Sequence, residues 1–208
     1  MYTWNCVKYL KIVTKKNKYL HRLTRDMIVT ISGNLGSGKT TIAKAIAKKF
    51  KIKHYSAGDF MRDMAEERGI TLLELSKLAE ENSAVDKEID ERSKTLAEKE
   101  KNFVIDSRLA WYFIPDSLKI FVKCDIDEAA KRVFPRKQKG DDENITLEAT
   151  AENIRRREKS EIERYKEYYG IELQDESNYD LVLDTTEQKK EDVIKKVLEW
   201  VGKQVKLD

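Results

Sequence analysis

The stretch Gly33-Asn-Leu-Gly-Ser-Gly-Lys-Thr40 decides how the rest of the chain is read. An apolar run, Met27–Ile31, leads into it, and Thr41-Ile-Ala-Lys-Ala-Ile-Ala47 follows it. Strand, glycine-rich turn, helix is the setting in which the spacing G-x-x-x-x-G-K-T cradles phosphate. Gly33, Gly36 and Gly38 allow backbone conformations closed to residues with a Cβ, so consecutive N–H groups can turn inward. Asn34, Leu35, Ser37 and Thr41 complete the predicted ATP-binding stretch, with the first helical amides adding a positive dipole end. Lys39 brings a point charge to the β- and γ-phosphates, and Thr40 offers a hydroxyl to Mg²⁺. A plain glycine-rich turn is the competing reading, and the flanking strand and helix weigh against it. The loop identifies a phosphate donor site but not the acceptor.

The 208 residues fit one domain with a full core. Charged residues make up 38% of the chain, so its surface is dense in Lys and Glu. No apolar run is long enough to span a bilayer, and a monomeric cytoplasmic protein is expected. Cys6 and Cys124 have no metal or redox spacing, and Cys124 reads as a small core residue. Residues 1–26 carry seven Lys and Arg against one acid, a net +6, which leaves −3 on the remainder. The body therefore has no overall basic field for nucleic acid. Residues 1–26 read as a basic extension outside the core, and Met27 directly before the first strand is a possible translation start. An anion- or RNA-binding arm with interleaved aromatics is the functional alternative for that segment.

Downstream of the loop helix, Ile52–Ser56 reads as a second strand. Gly58 breaks it, and Asp59 is placed to cap a helix carrying Phe60, Met61, Met64 and Arg62. Gly69 ends that helix, and Thr71-Leu-Leu-Glu74 is a capping box opening the next. A third helical stretch, about 85–100, is very charged, with apolar contacts expected only at Val85, Ile89, Leu96 and Ala97. Phe103–Asp106 is a short buried strand. Asp106 at its carboxyl end falls beside the phosphate loop, where a carboxylate can reach Mg²⁺ through water; a simple turn aspartate is the alternative. Leu118–Val122 and Tyr179–Thr185 read as the fourth and fifth strands. The last helix, about 187–202, shows a single apolar stripe of Val193, Ile194, Val197, Leu198 and Val201.

A polar stretch from Pro135 to Asp142 precedes a long helix, about 146–169. Arg157, Glu161 and Arg164 stand at i, i+4 and i+7 on one face of it. Most charges of such a helix form a surface ladder. Successive arginines at 155–157 are less usual, and guanidinium groups closing over a transferring γ-phosphoryl stabilise its spread charge while excluding water.

With these pieces assembled, the chain resembles the cytidylate kinases, most closely the short archaeal-type branch, over nearly everything from Met27 onward. The resemblance rests on the phosphate loop, Ser56-Ala-Gly-Asp-Phe-Met-Arg62, Asp106-Ser-Arg-Leu-Ala-Trp111, the run from Arg155 to Ile171, and Tyr179-Asp-Leu-Val-Leu-Asp-Thr185. It implies a three-layer α/β P-loop NTPase fold, with a five-stranded parallel sheet in the order 2-3-1-4-5. It also implies a domain over 27–208, with acceptor-binding helices at about 58–100 and a lid at about 131–165. The implied reaction moves the ATP γ-phosphoryl to CMP or dCMP with Mg²⁺. By position, Ser56 resembles the residue near the cytosine ring, with Asp59 beside it. Arg62 and Arg108 resemble arginines of the acceptor site. Arg132 and Arg157 resemble the lid arginines, which with Lys39 are the catalytic set. Glu161 and Arg164 resemble the acid and arginine that hold the acceptor nucleotide. Metal ligation is implied for Thr40 and Asp106. Two departures stand out. Ser107 replaces a glycine common in relatives, and Lys39 stands where many of this branch have threonine. Kinases for another monophosphate or small molecule, and a nucleotide-dependent RNA- or protein-binding module, are the rival readings.

Overall fold

A computed structural model describes residues 26–136 and 146–205. The basic segment ahead of Asp26 and most of the Pro135–Asp142 stretch lie outside the described residues. Five parallel strands form one sheet: β1 (Ile28–Gly33), β2 (Lys53–Ser56), β3 (Phe103–Asp106), β4 (Leu118–Lys123) and β5 (Leu181–Asp184), in the order β2-β3-β1-β4-β5. That is the expected order. The central strands are apolar and β-branched because both of their faces are covered. Alternate residues of β3 feed opposite cores. Val104 joins Val29, Ile31, Ile120 and Val122, whereas Phe103 and Ile105 pack with Ala110 and Ile114.

The helix α1 (Lys39–Phe50) lies on the first of these faces, through Ile42 and Ile46. The C-terminal helix, α8 (Lys190–Val205), joins it there through Val193, Val197 and Val201. Between β2 and β3 the chain builds α2 (Ala57–Glu67), α3 (Leu72–Glu81) and α4 (Ala84–Lys99), which share a small core of Met64, Leu75, Ala79, Val85 and Ile89. The capping box at Thr71 is present, with Thr71 accepting from the Glu74 amide and Glu74 accepting from the Thr71 amide. A short helix absent from the sequence reading, α5 (Ala110–Phe113), follows β3. After β4 come α6 (Ile126–Val133), capped by Asp125, and the long α7 (Leu147–Tyr169), capped by Thr146.

Two sequence expectations need correction. Asp59 is not the cap of α2. Ser56 is: its Oγ accepts from the Asp59 amide at 3.0 Å and donates to Asp59 Oδ2 at 2.8 Å. Helix α4 also buries more than its apolar residues, because Asp86, Asp90 and Ser93 lie inward beside Val85 and Ile89. The parallel register sets Ser56 opposite Asp106, and Asp106 opposite Ile31. The carboxyl ends of β1, β2 and β3 therefore meet at one edge of the sheet, where α/β proteins place their ligands.

Candidate active site

The phosphate loop is held by close approach to β4 and α6. Gly33 has φ +138°, and a Cβ there would come within 1.8 Å of the Val122 carbonyl oxygen. Gly36, at φ +78°, would press a Cβ against Ala129 at 2.8 Å. Asn34 turns its amide to the backbone of Cys124, donating to its carbonyl at 2.6 Å and accepting from its N–H at 3.1 Å. Leu35 packs against the cluster of Ala129, Ala130 and Ile154. The carbonyl of Ser37 accepts from the Thr185 hydroxyl at 3.0 Å. The side chains of Asn34 and Leu35 are thus spent on fixing the loop.

Cations converge on the loop. Lys39 Nζ donates to the carbonyls of Gly33 and Asn34, both at 2.8 Å. Arg108 donates through Nη1 to the same Gly33 carbonyl, and through Nε pairs with Glu161 at 2.7 Å. Burial, together with the positive charges of Arg108 and Arg157, lowers the Lys39 ammonium to about 7, against a weaker opposing pull from Asp106 and Glu161. A cluster of partly desolvated cations of this kind favours a bound polyanion, which restores the charge of the lysine.

The turn after β3 is pinned from β1. Ser32 donates to the carbonyls of Ser107 and Arg108, at 2.9 and 2.7 Å, and Ser107 N–H donates to the Ile31 carbonyl. Ser107 is buried and does not take a positive φ, so the backbone there does not require glycine. Asp106 is buried and pairs through Oδ2 with His54 Nε2 at 2.9 Å.

A cleft of about 560 Å³ opens beside the loop. It brings together Lys39, Thr40, Ser56, Asp59, Arg62, Asp106, Arg108, Arg157, Glu161 and Arg164, which is most of the residues picked out from the sequence. The i, i+4, i+7 face of α7 does point into it. Glu161 and Arg164 are each paired elsewhere, Glu161 with Arg108 and Arg164 with Asp86. Arg62 is exposed at the rim, paired with Asp59.

Arg132 is not in this cleft. It lines a second cavity, of about 350 Å³, on the other side of the loop, with Gly36, Ser37, Gly38, Thr41, Thr185, Gln188 and Ile194. Its guanidinium donates to Glu128, to the Thr185 hydroxyl at 3.0 Å and to the Thr185 carbonyl at 2.7 Å. The structure therefore places Arg132 and Arg157 on opposite sides of the phosphate loop.

Sequence reasoning missed His54, Asp86 and Thr185 as lining residues. His54 stands two residues before Ser56 on β2, where strand alternation gives both side chains the same face. Asp86 and Asp90 repeat at helical spacing with Ile89, a pattern that marks acids on the buried face of α4.

A parallel sheet in this order, with a glycine loop after β1, a lysine against it and an arginine-lined cleft at the strand ends, defines a phosphate-loop kinase architecture. Solved shikimate kinases share the fold. One from Bacteroides thetaiotaomicron superposes with a TM-score of 0.60 at 15% identity, covering 87% of this chain and 99% of that one. Residues 28–187 match the model of the cytidylate kinase-like family. Curated cytidylate kinases from Methanopyrus kandleri and Methanocaldococcus jannaschii are each 42% identical, over 77% of this chain and 86% and 89% of theirs. One from Sulfurisphaera tokodaii is 39% identical over 83% of this chain and 93% of its own. The chain belongs to the cytidylate kinase-like family.

Proposed function

We propose that the chain transfers the γ-phosphoryl group of ATP to CMP or dCMP, giving ADP and CDP or dCDP. The observation that carries this reading is the single cleft in which Lys39, at the donor loop, faces Ser56, Arg62, Arg108, Arg157, Glu161 and Arg164. The triphosphate lies along the loop amides. The donor nucleoside takes the cavity bounded by Arg132, Thr185 and Gln188, and the acceptor takes the larger cleft. Helices of about 58–100 grip the acceptor, and the segment of about 131–165 acts as a lid.

The attacking atom is an oxygen of the acceptor phosphate, already anionic near neutral pH, so no strong base is needed. The work of the protein is alignment and charge stabilisation. Arg62 and Arg108 orient the acceptor phosphate. Lys39 and Arg157 face the γ-phosphoryl from its two sides, and Arg132 steadies the donor side of the loop. Arg108 is held between the Gly33 carbonyl and Glu161, so its position is set before a ligand arrives.

Thr40 and Asp106 suit Mg²⁺: a hydroxyl and a carboxylate are hard oxygen donors, and both line this cleft. Asp106 uses Oδ2 for His54, which leaves Oδ1 for that duty. When bound, the ion neutralises charge on the β- and γ-phosphate oxygens. No helix among the described residues is long and apolar enough to cross a membrane. A monomeric cytoplasmic enzyme whose core takes no nucleic acid, with residues 1–26 as a basic extension outside that core, completes the reading.

The test is a phosphorylation assay with ATP across CMP, dCMP, UMP and AMP. Turnover highest on CMP or dCMP is expected. Failure to phosphorylate any monophosphate would overturn the reading.

A further inference from the structure

His54 has a buried partner at the floor of the cleft and no part in the chemistry described so far. It lies on the edge strand β2, two residues before Ser56, and the parallel register sets these two opposite Val104 and Asp106. Residues in register share a face of the sheet, here the face on which Val104 joins the core under α1. The imidazole reaches diagonally across to β3. Its Nε2 lies 2.9 Å from Asp106 Oδ2, and the two side chains are only 14% and 9% exposed. A carboxylate only accepts, so Nε2 is the ring nitrogen that carries the hydrogen. Stronger cations line the same cleft, and the charge of Asp106 acts on Lys39. Yet Lys39 donates to the carbonyls of Gly33 and Asn34, and Arg108 bonds Gly33 and Glu161. Among the described residues, the ion-pair partner of Asp106 is His54. An aspartate free to turn about its two side-chain torsions would be drawn onto those cations, closing off its oxygens and neutralising charge that a phosphate needs.

We propose that His54 is a positioning residue for Asp106: it ties down Oδ2, keeps the carboxylate off Lys39 and Arg108, and leaves Oδ1 for the hydration shell of Mg²⁺. This rests on the proposed function, which gives Asp106 its metal duty, and adds the group that orients it. A hydrogen bond to the far side of a metal-binding group fixes the plane of that group and sets its basicity. Burial makes the tie effective, because little water is present to compete for either partner. The rival account is that His54 merely satisfies a buried carboxylate. The two differ in what depends on the histidine: metal coupling in the first, stability alone in the second.

The experiment reads that coupling without turnover. Calorimetry measures the affinity of the full-length chain for the β,γ-imido analogue of ATP with and without Mg²⁺, and the ratio of the two affinities reports how far the metal assists binding. His54→Leu fills the space without a donor, and the ratio should shrink about tenfold. His54→Gln can offer an amide hydrogen in place of the imidazole's, and its ratio should stay within about threefold of the wild type. Asp106→Asn should lose as much as His54→Leu, and the double variant no more than either, because the histidine acts through the aspartate. A ratio unchanged in His54→Leu, with only a lower melting temperature, would overturn the inference. So would a glutamine variant that loses the ratio while staying folded, which decides the matter even where the leucine variant does not fold. Additive losses in the double variant, or a wild type whose affinity ignores Mg²⁺, would overturn it as well. Turnover of the wild type on CMP is measured alongside. A wild type that phosphorylates CMP while its metal coupling survives His54→Leu sinks this inference alone, whereas one that phosphorylates no monophosphate takes the proposed function down.

Discussion

The two sides of the phosphate loop are built from different materials. Toward β3, the cleft is walled by charged side chains from six elements: Lys39 of α1, Arg62 of α2, Glu80 of α3, Asp86 of α4, Asp106 at the end of β3 and Arg164 of α7. Toward β5, the cavity is lined by the loop backbone at Gly36–Gly38, small polar groups of Thr185 and Gln188, and the apolar edge of α8 at Val193 and Ile194. The first surface can hold and discriminate a charged acceptor. The second offers shape and backbone with fewer charges, Glu128, Arg132 and Lys190 among its described lining residues. The loop between them belongs to both, so a change in the loop should damage both sides, and a change in either wall only one.

The largest effect is therefore expected at Gly33. Alanine there would drive a methyl group into the Val122 carbonyl and hold a non-glycine residue at φ +138°. Stability should fall by about 3 kcal/mol or more, read as a lower midpoint in urea denaturation. A Gly33→Ala protein with wild-type stability would show that the loop has room to relax. Next comes Lys39→Ala, which removes charge without touching a core. Turnover should fall about 10³-fold with the melting temperature nearly unchanged, and near-normal kcat would remove Lys39 from catalysis.

Variants of the two walls should separate cleanly. Arg62→Ala is expected to raise the KM for CMP roughly 10- to 100-fold and leave the KM for ATP within about twofold. Arg132→Ala should do the reverse, raising the KM for ATP about tenfold, because its contacts are to Thr185 and Thr186 beside the donor-side cavity. If Arg132→Ala instead weakens CMP and spares ATP, the assignment of the two sides is inverted.

How much of this could be read beforehand follows from the range of each interaction. The loop was legible because its geometry depends on consecutive residues, and the face of Arg157, Glu161 and Arg164 because helical spacing is local. Sequence pattern alone reaches only the α/β class. The strand order came from the resemblance, since pairing depends on contacts between distant segments. Asp86 stayed hidden because its partner Arg164 lies 78 residues away, and a charged residue on a charged helix is ordinarily a solvated one. Arg132 was sorted with Arg157 because both precede or join the long helix. Only its contacts with Thr185 and Thr186, just past the end of β5, decide which side of the loop it faces. Ser56 and Asp59 show the smallest version of the same limit: both residue types cap helices, and three positions separate the right choice from the wrong one.

The smallest predicted effect tests the hidden acids of α4 directly. Asp90 is 4% exposed and accepts from the Tyr169 hydroxyl at 2.8 Å, with Asp86 one turn away. Burial, helped by the repulsion of Asp86, outweighs that hydrogen bond and pushes its carboxyl up to about 7. An unfolded aspartate has lost its proton by about pH 4, so between there and about 7 the folded chain binds a proton that the unfolded chain does not. Stability must then fall as pH rises through that window and level off above it. Between about pH 5 and about pH 8 the contribution of Asp90 should amount to about 2 kcal/mol. Other groups titrate as well: the raised Asp86 adds to the same trend, and the lowered Lys39 opposes it above about 7. The informative quantity is therefore the difference between wild type and Asp90→Asn in urea unfolding at the two pH values. Asparagine stays neutral and close to isosteric, so the variant should gain on the wild type as pH rises. A difference that is flat with pH would mean that Asp90 stays ionised in the folded chain, and that α4 meets α7 through a charged seam along its whole length.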